Sequence, residues 1–161
     1  VVAGAPFRAR YDALSPVIDK VFDLGSILQT TVGLRWNSMD PAAKASLEEA
    51  FRRFTVASYV ANFDKFGGET FEVGNTLRAV GQDQVVNSRM IPRSGDPIQM
   101  DYVMRQTPSG WRVVDVLLNG TVSRVAVMRS DFRSLLGSGD AGALIASLQR
   151  KVADLSGNTL G

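Results

Sequence analysis

The sequence predicts an α+β fold in which N- and C-terminal helices pack on a curved, four-stranded antiparallel meander. Three observations carry that prediction. Apolar residues recur at spacings of three and four in the first third and last quarter of the chain, the period of an amphipathic helix. Between residues 69 and 119 the period falls to two, that of a half-buried strand. The connections within that middle stretch are too short for helical crossovers, so its strands must be antiparallel.

Each element follows from local residues. Phe7, Tyr11, Leu14, Ile18, Val21 and Phe22 share one helical face, and Pro16 within it predicts a kink or short break. Asp23 can cap a second short helix running to Thr31, with Gly33 to end it. Asp40-Pro41 is a strong start signal, with Asp at the cap and Pro in the first turn. The helix that follows is expected to reach Phe66, where Gly67-Gly68 stops it, so helices occupy 5–66. Its apolar residues fall on two faces. Leu47, Phe51 and Phe54 share one, whereas Val56, Tyr59, Val60 and Phe63 gather nearly opposite. Either the helix breaks near 55–58, or its two ends meet different neighbours; the bland reading is two core contacts, and the sharper one is that the second half walls a cavity.

In the stretch 69–119, Phe71, Val73, Leu77 and Ala79 alternate with polar residues, and Gly74 sits where a bulge belongs. Turn residues at Gly81-Gln82-Asp83, Pro92 to Pro97 and Pro108-Ser109-Gly110 delimit further strands near 84–91, 98–106 and 111–118. The last of these is apolar on both faces except at Arg112 and Asp115, which predicts cover on both sides. Helices resume over 121–156. Thr121 or Ser123 caps the first, with Val125, Met128, Phe132, Leu135 and Leu136 as its stripe. Gly137-Ser138-Gly139 breaks it, and Asp140 caps a second helix bearing Leu144, Leu148, Val152 and Leu155. Nothing resembling an interdomain linker interrupts residues 1–161, which read as a single domain.

Composition narrows the chemistry. The 161 residues hold no cysteine and no histidine. Disulfides, thiolate nucleophiles, Cys/His zinc sites, Ser-His-Asp triads and imidazole acid/base catalysis are therefore excluded. Lys plus Arg number 18 against 16 Asp plus Glu, a net charge of +2, which gives no electrostatic case for a nucleic-acid binder. No apolar run approaches the ~20 residues of a membrane-spanning helix. A chain that begins at Val1 without Met is what removal of a leader or a tag leaves, and a chosen boundary looks the same; a removed signal peptide is the expectation. No phosphate loop is present, because Gly67-Gly68 lacks the Lys-Ser/Thr that would follow.

The remaining candidates have bland and sharp readings side by side. Asp101 and Asp115 fall on neighbouring strands and can meet as a carboxylate pair, or can face solvent or bond Arg105 and Arg112. Arginines outnumber lysines fourteen to four, and Arg124, Arg129 and Arg133 are spaced to edge a headgroup site or to serve as plain surface charge. Met90, Met100, Met104 and Met128 suit an adaptable pocket and an ordinary core equally well.

The segment Gly110-Trp111-Arg-Val-Val114, followed by Asp115-Val-Leu-Leu-Asn-Gly-Thr-Val-Ser-Arg-Val-Ala-Val-Met-Arg-Ser-Asp-Phe132, resembles the MlaC-type (toluene-tolerance) periplasmic lipid carriers. That family shows a Gly-Trp-basic strand ending in Asp, then a Gly, then a Ser-led helix with an Arg-Ser-x-Phe segment. Val21-Phe22-Asp23, Asp101-Tyr102 and Leu144-Ile145 with Leu148 are similar too, so the likeness spans nearly the whole chain. Thr121 to Val127 is most like the hopanoid-biosynthesis-associated (HpnM-like) branch.

What the resemblance implies is a non-enzymatic shuttle carrying phospholipid or a hopanoid-type lipid between inner and outer membranes. It implies an internal cavity for the cargo's acyl or polycyclic part, and no cofactor or metal beyond that cargo. The implied partners are an inner-membrane ABC transporter complex and an outer-membrane lipoprotein complex. Strand alternation and the helix face then nominate Tyr59, Phe63, Val86, Met90, Tyr102, Met104, Val114, Val116, Leu118 and Phe132 as cavity residues, with Arg124 and Arg129 at the headgroup. Trp at 102 or 116 is expected to fill the cavity. The inward face stays open at this point, since a one-residue slip of register inverts every choice. The rival is a small enzyme on a cone-shaped α+β fold, using a buried Asp101 or Asp115 with Tyr102 on an apolar substrate. A third reading is an interaction module with an exposed apolar patch.

Overall fold

A computed structural model describes residues 4–63, 65, 67–137 and 140–160. Its helices are α1 (Phe7–Val21), α2 (Leu24–Val32), α3 (Arg35–Ser38), α4 (Pro41–Asn62), α5 (Arg124–Arg133) and α6 (Gly142–Ser156). Between α4 and α5 run β1 (Thr70–Val80), β2 (Asp83–Ile91), β3 (Ile98–Thr107), β4 (Gly110–Leu118) and β5 (Val122–Ser123). The five strands form one antiparallel sheet in the order β1-β2-β3-β4-β5. The fold class is α+β, with one strand more than the four expected. The extra strand arises because Asn119 (φ 51°) and Gly120 (φ 73°) reverse the chain tightly enough for Val122 and Ser123 to pair with Leu118 and Leu117. α5 therefore starts at Arg124.

The caps act where the sequence places them. Asp23 accepts from the Ser26 N–H at 2.9 Å, Asp40 from Ala43 at 2.8 Å and Ser123 from Ala126 at 2.9 Å, each satisfying a donor that the first turn leaves unpaired. At α6 the cap residue is Ala141, yet the Asp140 carboxylate still accepts from Gly142 N–H at 2.7 Å. α4 ends at Asn62, short of the expected Phe66, because Phe63 already leaves helical geometry (φ −119°, ψ 47°); Phe66, Ser138 and Gly139 lie outside the described residues.

Two expected interruptions do not occur. α1 runs unbroken through Pro16, which forfeits only its own hydrogen bond one turn back. α4 continues through 55–58 and buries Leu47, Ala50, Phe51, Val56, Ala57 and Val60 along its length. Different neighbours account for its two faces, since α4 packs against α6, α1 and α2.

Bulges set the register of the sheet. From Val73↔Ser88 the pairing moves to Leu77↔Val86, so Gly74, Asn75 and Thr76 stand opposite Asn87 alone. An insertion of two residues preserves alternation. In β4 the pairing moves from Val103↔Asp115 to Met104↔Val113, which leaves Val114 without a partner. An insertion of one residue inverts alternation. Val113, 2% exposed, therefore joins Val116 in the core, and Val114 does not. Cover over β4 is incomplete, as Trp111 remains 49% exposed.

Candidate functional site

Phe22 sits between α1 and α2 and forms a parallel bridge to Val113, while Asp23 N–H donates to the Val113 carbonyl at 2.9 Å. That contact seats the start of α2 on β4. Two residues further along β4, the Asp115 carboxylate accepts from Val125 N–H at 3.1 Å and from the Ser123 hydroxyl. It thus fastens the first turn of α5 to the sheet, with a negative charge where a helix N-terminus favours one. Between these two anchors the second half of α4 does not close fully on the sheet. The result is a partly open cleft of about 240 Å³.

Its walls are mostly apolar: Phe22, Leu24 and Ile27 from the α1–α2 junction, Phe51, Phe54, Tyr59 and Phe63 from α4 and its C-terminal cap, Met100, Tyr102, Val116 and Leu118 from the sheet, and Val125 and Met128 from α5. Three rings line up along it. Tyr59 lies 5.4 Å from Phe22 and stacks on Phe63 at 6.0 Å with 15° between the planes. Polar groups are few: Thr55, Ser58 and Asn62 of α4, Asp115, and the exposed Arg124 that opens α5. Burial pushes the Tyr59 phenol well above its ordinary range; nearby Tyr102 adds to the shift and Arg124 opposes it. Burial also raises Tyr102. Both phenols stay protonated at neutral pH, so the cleft offers neutral hydrogen-bond donors beside one cation.

Two other surface clefts are larger and different in kind. One of about 680 Å³ is lined by Asp19, Asp23, Glu48, Glu49, Arg52 and Arg112 among others, and the Arg52–Asp19 pair (2.7 and 2.8 Å) sits in it. The other, about 670 Å³, follows the α4–α6 seam. The first presents more charge than the smaller cleft, and the second carries two charged side chains, Glu49 and Arg53.

Of the nominated residues, the structure brings Tyr59, Phe63, Tyr102, Val116, Leu118 and Arg124 together around the cleft. Met90 and Met104 pack against the core from the same face of the sheet but do not line the cleft, and neither does Val86, which pairs with Tyr102. Phe132 is buried deeper, edge-on to Phe51 at 6.3 Å. Val114 occupies the bulge, and Arg129 lies away from the cleft with its guanidinium against Gly33. Residues not nominated include Phe22, Ile27, Phe51 and Met100. Met100 shares its strand face with Tyr102 and Met104, so alternation alone would have found it.

Beyond the helices the same sheet face continues uncovered. Leu77 pairs with Val86, which pairs with Tyr102, which pairs with Val116. Phe71 pairs with Met90 in the same way. Yet Phe71, Val73 and Leu77 are 59%, 65% and 62% exposed, and the whole of β1 is exposed.

Asp101 and Asp115 do not form a carboxylate pair in the cleft. Asp101, 1% exposed, accepts from the Asn87 amide at 2.8 Å, the Gln99 amide at 2.9 Å and the Ser88 N–H at 3.3 Å. It points to the side of β3 opposite Tyr102.

Comparison with known proteins adds three findings. A family model described as MlaC protein matches residues 3–150. Among solved structures the chain is similar to a phospholipid-binding protein from Ralstonia solanacearum, solved in complex with a phospholipid. That likeness has a TM-score of 0.82 at 21% identity and covers 96% of this chain and 86% of the other. It is a likeness of fold. No curated protein sequence matches the chain significantly.

Proposed function

The chain belongs to the MlaC family, and from that premise we propose that it is a lipid carrier, with phospholipid or a hopanoid-type lipid as cargo and residues 1–161 as one lipid-binding domain. It works in the periplasm after loss of a signal peptide, between an inner-membrane ABC transporter complex and an outer-membrane lipoprotein complex. The fold shared with a phospholipid-bound protein supports a phospholipid cargo. The likeness of Thr121 to Val127 to the hopanoid-associated branch keeps the polycyclic cargo in view.

The observation that carries this reading is an apolar cleft on a sheet face whose cross-strand rows run on, through Val86 and Met90, to uncovered apolar residues of β1. At about 240 Å³ the cleft is smaller than the ~300–1,000 Å³ of ordinary ligand pockets. A lipid therefore needs the extension over Phe71, Val73 and Leu77, or an opening of the Phe22–Tyr59–Phe63 row. Burial repays that opening, because each CH₂ contributes about 0.8 kcal/mol and a C16 chain on the order of 10 kcal/mol. Tyr59 and Tyr102 donate to ester or phosphate oxygens, and Arg124 sits at the rim for an anionic headgroup. So firmly held a cargo leaves slowly without help, which gives the membrane complexes their role.

Among the described residues the enzyme alternative lacks a free base in the cleft. Asp101 turns away from it, and Asp115 already accepts from Val116, Ser123 and Val125. Catalysis would need a carboxylate within reach of a substrate proton.

The test is mass spectrometry of an organic extract of gently purified protein, repeated on the intact complex for stoichiometry. About one lipid per chain surviving gel filtration is the expected result, and its mass names the cargo class. An empty protein that takes up nothing from liposomes contradicts the proposal.

A further inference from the structure

Where α2 gives way to α3 the backbone turns out into solvent. Gly33 adopts φ 68° and ψ −143°, a conformation that a side chain would strain. Leu34 follows, 87% exposed, the most exposed large apolar residue among those described. Arginines surround this corner. The Arg129 guanidinium of α5 lies 3.5 Å from where a Gly33 Cβ would stand, and Arg35 donates to the Arg133 carbonyl at 3.0 Å. Arg8, Arg52, Arg89 and Arg105 all hold carboxylates, whereas Arg35, Arg129 and Arg133 form no ion pair among the described residues. Lys44, over the Trp36 ring at 5.6 Å, adds another cation.

Like charges gathered without counterions are unfavourable until an anion enters between them. Arginine's planar fork suits phosphate oxygens, and an apolar tip ringed by cations matches a surface that is anionic outside and apolar beneath. A protein partner would need roughly 800 Å² of complementary face with an apolar centre. This corner offers a single apolar tip.

We propose that the Leu34 corner docks the protein on an anionic bilayer, Leu34 entering between headgroups while Arg35, Arg129 and Arg133 hold phosphates. α5 links this corner to the cleft, with Arg124 at one end and Arg133 at the other, about 14 Å apart along the axis at ~1.5 Å per residue. Docking here holds the cleft close to a membrane. The inference depends on the carrier reading for its purpose and not for its geometry.

The test is co-sedimentation with phosphatidylcholine vesicles, with and without phosphatidylglycerol, at low and high salt. Wild-type protein is expected to sediment with the anionic vesicles only, and to be released by salt. Arg35→Gln and Arg133→Gln should each weaken binding about fivefold, and Leu34→Ser should weaken it further, while Arg8→Gln leaves it unchanged. Wild-type protein that stays in the supernatant overturns the proposal, as do Leu34→Ser and Arg35→Gln proteins that bind like wild type. Extracting lipid from the same samples separates the two readings. Variants that lose vesicle binding yet keep one lipid per chain support both docking and cargo. An empty chain that still sediments through Leu34 supports docking and counts against the carrier.

Discussion

One face of the sheet meets two different fates. Over β3 and β4, Met100, Val113 and Val116 lie in the core beneath the helices. Over β1, Phe71, Val73 and Leu77 carry the same alternation on the same face with no element of the described chain above them. Strand patterning therefore tells which side chains share a face but not what covers them. An apolar face left bare next to an apolar cleft marks an interaction site, and the proposed cargo would supply that cover.

The largest effect should come from filling the covered half. Tyr102→Trp is expected to abolish lipid retention, read by extraction and mass spectrometry, while the circular dichroism spectrum stays that of a folded domain. Val116 is a poorer position, because at 8% exposure a Trp there overpacks the core. Next in size is Phe51→Ala, which empties a side chain 1% exposed. It should cost about 3–5 kcal/mol in urea unfolding. The bare half should respond differently. Phe71→Ser with Val73→Ser should shift the unfolding of delipidated protein by no more than ~0.5 kcal/mol per site, yet weaken lipid retention. Stability lost equally in loaded and empty protein would show that β1 belongs to the core after all.

A pH effect sharpens the boundary between the halves. The folded-state pKa of Tyr59 is raised by burial, so above pH ~10 the unfolded chain releases a proton that the folded chain retains. Stability is unaffected below that pH and falls as pH rises past it. Wild type should lose stability between pH 9 and 11, by up to ~1.4 kcal/mol per pH unit above 10. Tyr59→Phe should lose less over the same range. Equal losses would mean that Tyr59 is solvated in the cleft.

Much of this was legible in the sequence, for local reasons. Asp23, Asp40 and Ser123 cap helices through side-chain oxygens whatever the tertiary context, and Gly74 marks the β1 bulge. The β4 bulge at Val114 carries no such mark, because no glycine stands there, and an inserted residue among valines is invisible to alternation. That is why the inward place expected of Val114 belongs to Val113. The cleft draws Phe22, Leu24 and Ile27 from the α1–α2 junction, where the Phe22–Val113 bridge between distant segments decides the geometry. Helical spacing placed Phe22 on an apolar face, and only the packing turns it toward Tyr59.

The most direct test asks whether cargo covers β1. The chain has no cysteine, so Leu77→Cys introduces a unique thiol on the bare face, whose rate of reaction with a maleimide reports its exposure. In protein shown by intact-mass measurement to hold one lipid, labelling should be slow, and delipidation should accelerate it while a cysteine placed at exposed Arg8 reacts at one rate throughout. Equal rates at position 77 in loaded and empty protein would contradict the account, leaving the β1 face bare whether or not the cleft is filled.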